Sequence, residues 1–183
     1  MALHTHYPSR SQSLLLGAGL AVLGLAGRKL MVQAPTMLAG DWDKALAAEH
    51  KAALALFDAL AATDDAASGR RRLMLMQLKH ALGKHALEEE NAIYPAMREH
   101  GMEAKADALN GEHGYVKQYL YELSDLLDDK PAFQQKLAKF RADIERHMKQ
   151  EEQELFPLLR QALDDSATGR LTRRMNQEGL KLA

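Results

Sequence analysis

The chain has 183 residues, 46% of them hydrophobic, with a formal net charge of -1 and no cysteine. That is enough apolar material for one domain with a proper core and short for two. Near-neutrality provides no long-range field for nucleic acid or acidic substrates, so no nucleic-acid partner is expected. The missing thiols exclude disulfides, thiolate metal sites, iron–sulfur clusters and cysteine nucleophiles. Only five prolines and 5% aromatic residues, among abundant Ala, Leu, Glu and Lys, favour helices over strands.

Residues 1–12 are polar, contain Pro8 and lack periodicity, which predicts a loose tail. His4 and His6 lie there, too far from the later histidine pattern to count with it. An apolar run follows, Leu14 to Gly27, flanked by Arg10 and by Arg28-Lys29. It is shorter than the about 20 apolar residues that a spanning helix needs. Basic residues directly after it are the wrong flank for a secretory signal. Three readings remain open: a membrane-surface or re-entrant anchor, a homo-oligomerisation helix, or a targeting segment. A cytoplasmic chain is expected, with membrane association as the alternative. Pro35-Thr36 to Gly40 reads as a linker and Asp41 as the N-cap of the first long helix.

From Trp42 to about Ala62, Leu46, His50, Ala53 or Leu54, Phe57 and Ala61 form one helical stripe, and Thr63-Asp64-Asp65 with Ser68-Gly69 make the turn. A second helix is expected from about Arg70 to Arg98, with Leu75, Leu78, Leu82, His85, Glu89, Ala92 and Ala96 inward. A third, from about Glu103 to Leu127, turns Ala106, Leu109, His113, Val116, Leu120 and Leu127 inward. Pro131 suits the first turn of a fourth, which runs to about Leu163 with Phe140, Ile144, His147, Glu151, Leu155 and Leu158 inward. The expected fold is all-α, an antiparallel up-down four-helix bundle with an extra N-terminal apolar segment. Its divisions are residues 1–40, the bundle at 41–164, and a basic C-terminal tail at 165–183, either a short helix on the bundle or loose.

The same text stands twice in this frame. His85 and Glu89 are four apart with Pro95 six beyond; His147, Glu151 and Pro157 repeat those intervals. A lone histidine behind a glutamate precedes each copy, as Glu49-His50 and Glu112-His113. A His and a Glu at i and i+4 share a helix face, so they can reach one metal, or the Glu can bridge two metals roughly 3.5–4 Å apart. Imidazole and carboxylate donors suit iron, manganese or zinc. Two pairs plus two lone histidines supply two metals with two His apiece and leave positions for an exogenous small molecule. A buried glutamate pair without a cation would cost several kcal/mol. Each proline should end or bend its helix and free the carbonyls of Asn91 and Gln153.

Other features keep structural readings. His80 points off the ligand face, and His100 suits a helix C-terminus. Glu88, Glu90, Glu152 and Glu154 read as solvated flanks, with Glu90 and Glu152 as candidate partners of ligand histidines. Tyr115, Tyr119 and Tyr121 read as core or surface packing, with bordering the site as the alternative for at least one, and Met74 and Met76 read as helix packing.

From Asp41 to Leu163 the pattern resembles the hemerythrin-like, or HHE cation-binding, domain. The lone His50, His85/Glu89 before Tyr94-Pro95, then His113 and His147/Glu151 before Phe156-Pro157, carry the resemblance. It implies a four-helix bundle holding two non-haem Fe ions, with Mn or Zn as alternatives, on His50, His85, Glu89, His113, His147 and Glu151. It also implies a diatomic or peroxide ligand. Two departures separate this chain from the oxygen carriers of that family. Their last carboxylate is an Asp five residues after its His, where this chain has Glu151 at four. Lys117 stands four residues after His113, where they have a fifth His. Simple oxygen carriage is therefore set aside. Binding or sensing dioxygen, peroxide or nitric oxide in a stress or redox response comes first. A peroxidase- or oxidase-like enzyme, and an iron-centre repair or iron-delivery module, are the alternatives.

Overall fold

The computed structural model describes residues 29, 32–64 and 67–183 of the chain. The apolar run at 14–27, the tail at 1–12 and the turn residue Asp65 lie outside the described residues. The described part is all-helical, without strands. Residues 32–38 are helical and lead to α1 (Trp42–Ala61). Then come α2 (Ser68–Glu88), α3 (Tyr94–Glu99), α4 (Glu103–Asp125), α5 (Lys130–Gln150), α6 (Phe156–Ala162) and α7 (Asp165–Leu182). Two five-residue π turns, Glu89–Ile93 and Glu151–Leu155, join α2 to α3 and α5 to α6.

The prolines therefore neither stop nor sharply break the two long helices. A proline ring crowds the carbonyl four residues back, and a turn closed by i→i+5 bonds makes room for it. The widened turns close from the Glu89 carbonyl to the Tyr94 N–H and from the Glu151 carbonyl to the Phe156 N–H. Pro95 and Pro157 then sit in the first turn of the next helix, where no N–H is required. The extra residue also moves the buried face onward. Leu158, expected inward, is exposed, and Leu159 is buried in its place. On α1 the buried stripe likewise closes on Leu60 rather than Ala61.

The core is in two parts. One gathers Trp42, Leu46, Ile93, Met97, Leu109, Leu155 and Leu159 with their neighbours. The other gathers Ala53, Phe57, Leu78, Leu82, Leu120, Phe140, Ile144 and Met148. Every inward histidine lies between them. On α1 the order along the chain is Leu46, His50, Ala53; on α2 it is reversed, Leu82, His85, then Ala92. It reverses again on α4 and once more on α5. The site is thus a polar layer sealed by an apolar plug at each end.

Arg71, 1% exposed, ties the turns beyond the second plug together. It donates to the carbonyls of Leu127 and Asp64 and lies over the Phe133 ring, 5.5 Å from its centroid.

One segment differs from expectation, and another takes one of its two expected forms. The supposed linker at Pro35 and Thr36 is helical, because Gln33 and Thr36, one turn apart, are both buried against the bundle. The basic tail is the 18-residue helix α7, with Asp164 accepting from Ala167 N–H at 2.6 Å as its N-cap. It packs along α2 and α1. Asp41 does occupy the N-cap position of α1, but its side chain makes no cap bond. Its carboxylate receives Arg160 at 2.9 Å, and the Trp42 N–H is capped instead by the Thr172 hydroxyl of α7 at 3.1 Å. A helix terminus needs a partner for its free N–H groups, and here a remote helix provides one.

Candidate metal centre

All six sequence-predicted residues come together between the two plugs, each 6% exposed or less. His50 comes from α1, His85 from the last turn of α2, His113 from α4 and His147 from the last turn of α5. Glu89 and Glu151 open the two π turns.

Each glutamate touches one histidine of each half. Glu89 Oε1 lies 3.3 Å from His85 Nε2 and Oε2 lies 3.3 Å from His113 Nε2. Glu151 Oε2 lies 3.4 Å from His50 Nε2 and Oε1 lies 3.4 Å from His147 Nε2. Two groupings result. His50, His85, Glu89 and Glu151 offer one atom each within 4.8 Å of one another, and Glu89, His113 and His147 do the same.

An outer ring of carboxylates orients the imidazoles. His50 Nδ1 faces Glu152 at 2.7 Å, His85 Nδ1 faces Glu49 at 3.0 Å, His113 Nδ1 faces Glu90 at 3.0 Å, and His147 Nδ1 faces Glu112 at 2.7 Å. These acceptors assign the ring proton to Nδ1, so that each Nε2 lone pair points into the centre. Glu90 and Glu152 were legible as candidates from the sequence. Glu49 and Glu112 were legible only as the residue that precedes each lone histidine; each in fact serves the histidine of the following helix.

The inward atoms are short of partners. His50 Nε2 and His85 Nε2 meet at 2.9 Å, an arrangement two lone pairs do not tolerate without a proton or cation between them. Glu89 Oε1, Glu151 Oε2 and His147 Nε2 are buried with no hydrogen-bond partner. Buried polar atoms are ordinarily satisfied, so a converging set of orphaned N and O donors fits a metal cation. With protons as the sole cations, burial opposes charge on His85, yet Glu89 and Glu49 hold its pKa well above the ordinary 6.5. Burial likewise opposes charge on Glu89, and His85 and His113 hold it well below 4.5. His113 is pulled up in the same way, by Glu89 and Glu90 against its burial.

One inner residue escaped the sequence reading as a participant. Tyr94 reaches Glu89 Oε2 at 3.2 Å, Glu151 Oε1 at 3.2 Å and His113 Nε2 at 3.1 Å with its hydroxyl. The i→i+5 π turn brings its hydroxyl back to Glu89. Burial, then the charges of Glu89 and Glu151, push its pKa well above 10, so the phenol keeps its proton. The matching residue in the other repeat, Phe156, has no hydroxyl and instead stacks on His50, with centroids 6.2 Å apart.

Structural readings elsewhere are mostly met. His80 is exposed, and His100 caps α3 through Nδ1 to the Ala96 carbonyl at 2.8 Å. Tyr115 and Tyr121 are exposed, while Tyr119 stacks on Phe140. Lys117, where a fifth histidine would be sought, is exposed and lies 3.5 Å from Glu90. Glu88 is the exception among the flanks: it is fully buried, because residues 32–38 and α7 cover it. Burial, then Glu49, push its pKa up to about 8. Glu49, Glu88 and His85 also converge, but there the Lys84 ammonium already sits between the two carboxylates.

The family model of the hemerythrin HHE cation binding domain matches residues 43–159. No curated protein and no solved structure matches the chain.

Proposed function

The chain belongs to the hemerythrin HHE cation-binding family, and from that premise we propose that it is a non-haem di-iron protein that binds or senses dioxygen, peroxide or nitric oxide in a stress or redox response. The observation that carries this reading is the pair of glutamates, each spanning one histidine of both halves. His50 and His85 would hold one metal, His113 and His147 the other, with Glu89 and Glu151 between them. The core order, reversing from helix to helix, supports an antiparallel up-down four-helix bundle as the scaffold. Iron is favoured over zinc for a redox role, because zinc has no one-electron couple; manganese is the alternative that the same donors suit. The protein's part is to hold the donors rigid through the outer carboxylates and to keep bulk water out with two apolar plugs.

Tyr94 favours a second reading, a peroxidase- or oxidase-like enzyme. Its hydroxyl is positioned to give a hydrogen bond to a small molecule beside His113. Iron delivery is less well supported, since donors this buried and this firmly oriented do not release metal readily.

The test is the metal content and visible spectrum of anaerobically purified protein, before and after air, followed by peroxide addition. Roughly two irons per chain with a spectrum that responds to air support the di-iron reading. Catalytic loss of peroxide that Tyr94→Phe slows would move the conclusion to the enzyme. Zinc alone, or no metal with unchanged folding, would remove the functional claim.

Among the described residues no helix is long and apolar enough to cross a membrane. We propose that the apolar run at 14–27 governs membrane-surface association or oligomer size. A chain starting at Lys29 should shift in fractionation or in size by light scattering. No change in either would defeat this.

A further inference from the structure

Behind His85 lies a buried polar chain that the metal reading does not use. Glu49 has two roles at once. Its Oε2 accepts from His85, while its Oε1 accepts from Lys84 and, at 2.5 Å, from the Thr36 hydroxyl. Lys84, 5% exposed, also donates to Glu88 at 2.9 Å. Gln33 donates to the same Glu88 oxygen at 2.9 Å and to Asn176 of α7 at 3.0 Å. The fit is close: a Cβ at Gly179 of α7 would stand 1.9 Å from Glu88 and 2.6 Å from Gln33. Only glycine lets α7 close over this pair.

The other half of the centre has no buried backing of this kind: Lys117 reaches Glu90, behind His113, only from an exposed position at 3.5 Å. The residue before His147 is Arg146, which is exposed and pairs with Asp143. Glu112, behind His147, is 48% exposed, against 14% for Glu49. Glu112 and His147 instead line a cavity of about 360 Å³ between α4 and α5.

We propose that Lys84 and Thr36 are positioning residues of the metal centre, acting on His85 through Glu49, so that the docked helix at 32–38 sets cation affinity in one half only. This rests on the metal reading above. A carboxylate with one oxygen pinned cannot rotate, so its second oxygen stays on His85 Nδ1 and the imidazole keeps its aim. Outer partners of this kind carry 10- to 100-fold of metal affinity. By linkage, what the N-terminal helix does for the metal, the metal does for the helix.

The experiment is calorimetric titration of the metal-free full-length chain with Zn(II), alongside hydrogen exchange of residues 32–38. Thr36→Val should weaken one of the two binding steps about 10-fold and leave the other unchanged, and Thr36→Ser should restore it. Zn(II) should slow exchange at 32–38 in the wild type and fail to do so in Thr36→Val. Arg146→Met should leave both steps within about twofold of the wild type, an outer partner being worth more than that. Lys84→Met discriminates further, because loss of a nearby positive charge alone would tighten binding whereas loss of positioning weakens it. Should that variant not fold, Thr36→Val, which removes one neutral hydroxyl, still decides. Equal weakening of both steps, tighter binding in Lys84→Met, or metal-independent exchange at 32–38 would overturn the proposal. Failure of the wild type to bind Zn(II) or iron would instead defeat the metal reading, and this inference with it.

Discussion

Glu89→Ala and Glu151→Ala are each expected to lose both metal equivalents rather than one. Each carboxylate has one oxygen toward the His50/His85 half and the other toward the His113/His147 half. Removing either takes a donor from both halves and leaves two like-charged cations with one shared carboxylate in place of two. Affinity should fall by roughly 100-fold or more, beyond the 10- to 100-fold range of outer-partner substitutions. His147→Ala, in contrast, removes a donor from one half, and one equivalent should survive. The measurement is elemental metal content after dialysis, with circular dichroism to verify that the helices persist. A Glu151→Ala protein that keeps one tightly held metal would show that the carboxylates serve separate ions.

Metal removal should lower the melting temperature substantially, and the loss should grow as pH rises. A cation at 1,000 times its Kd stabilises the folded state by about 4 kcal/mol. For a chain of this size that is roughly 8–16 °C. The pH dependence follows from His85 and His113, whose folded pKa values stand above the unfolded value of 6.5. In the metal-free protein their stabilising contribution is complete below pH 6.5 and disappears as pH rises through the folded values. Glu89 acts in the opposite sense: its contribution is present above the unfolded 4.5 and disappears as pH falls through its depressed folded value. Metal-free protein should therefore weaken above pH 6.5. Metal-loaded protein has no such loss, because the cation displaces those protons and binds more tightly as they leave. Glu88, raised to about 8, lowers the stability of both forms as pH rises and cancels in the difference. Calorimetric melts of loaded and chelator-stripped protein at pH 6, 7 and 8 should diverge. A constant gap would mean that protons do not compete for the centre.

How much of this was legible beforehand differs from residue to residue. His50, His85, His113 and His147 fall on helical stripes set by local periodicity, and a repeated spacing is visible without coordinates. The two glutamates follow from i, i+4 geometry alone. Proline chemistry indicated a disturbance after each glutamate, but whether a helix bends or widens depends on what packs around it. Here two long helices had to stay continuous to reach the first core cluster, and the π turns met that need. Leu158 faces outward for the same reason, since one extra residue rotates every later side chain about the helix axis.

Glu49 and Glu112 stand beside histidines in sequence yet serve histidines on other helices, a pairing that only the packing creates. Tyr94 and Phe156 are equivalent in the repeat, but one carries a hydroxyl into the donor set and the other a ring onto His50. The Lys84 chain draws on residues 33, 36, 49, 84, 88 and 176; 33/36 and 84/88 are each one helical turn apart, but the four helices they come from are brought together only by packing. The four long helices, the inward donors and the twofold plan are legible in the sequence, because backbone periodicity and side-chain chemistry are local. Tertiary structure alone decided which carboxylate orients which imidazole and how α7 and residues 32–38 enclose Glu88. Those contacts form between helices remote in the chain, where complementary shape and charge, not spacing, select the partner.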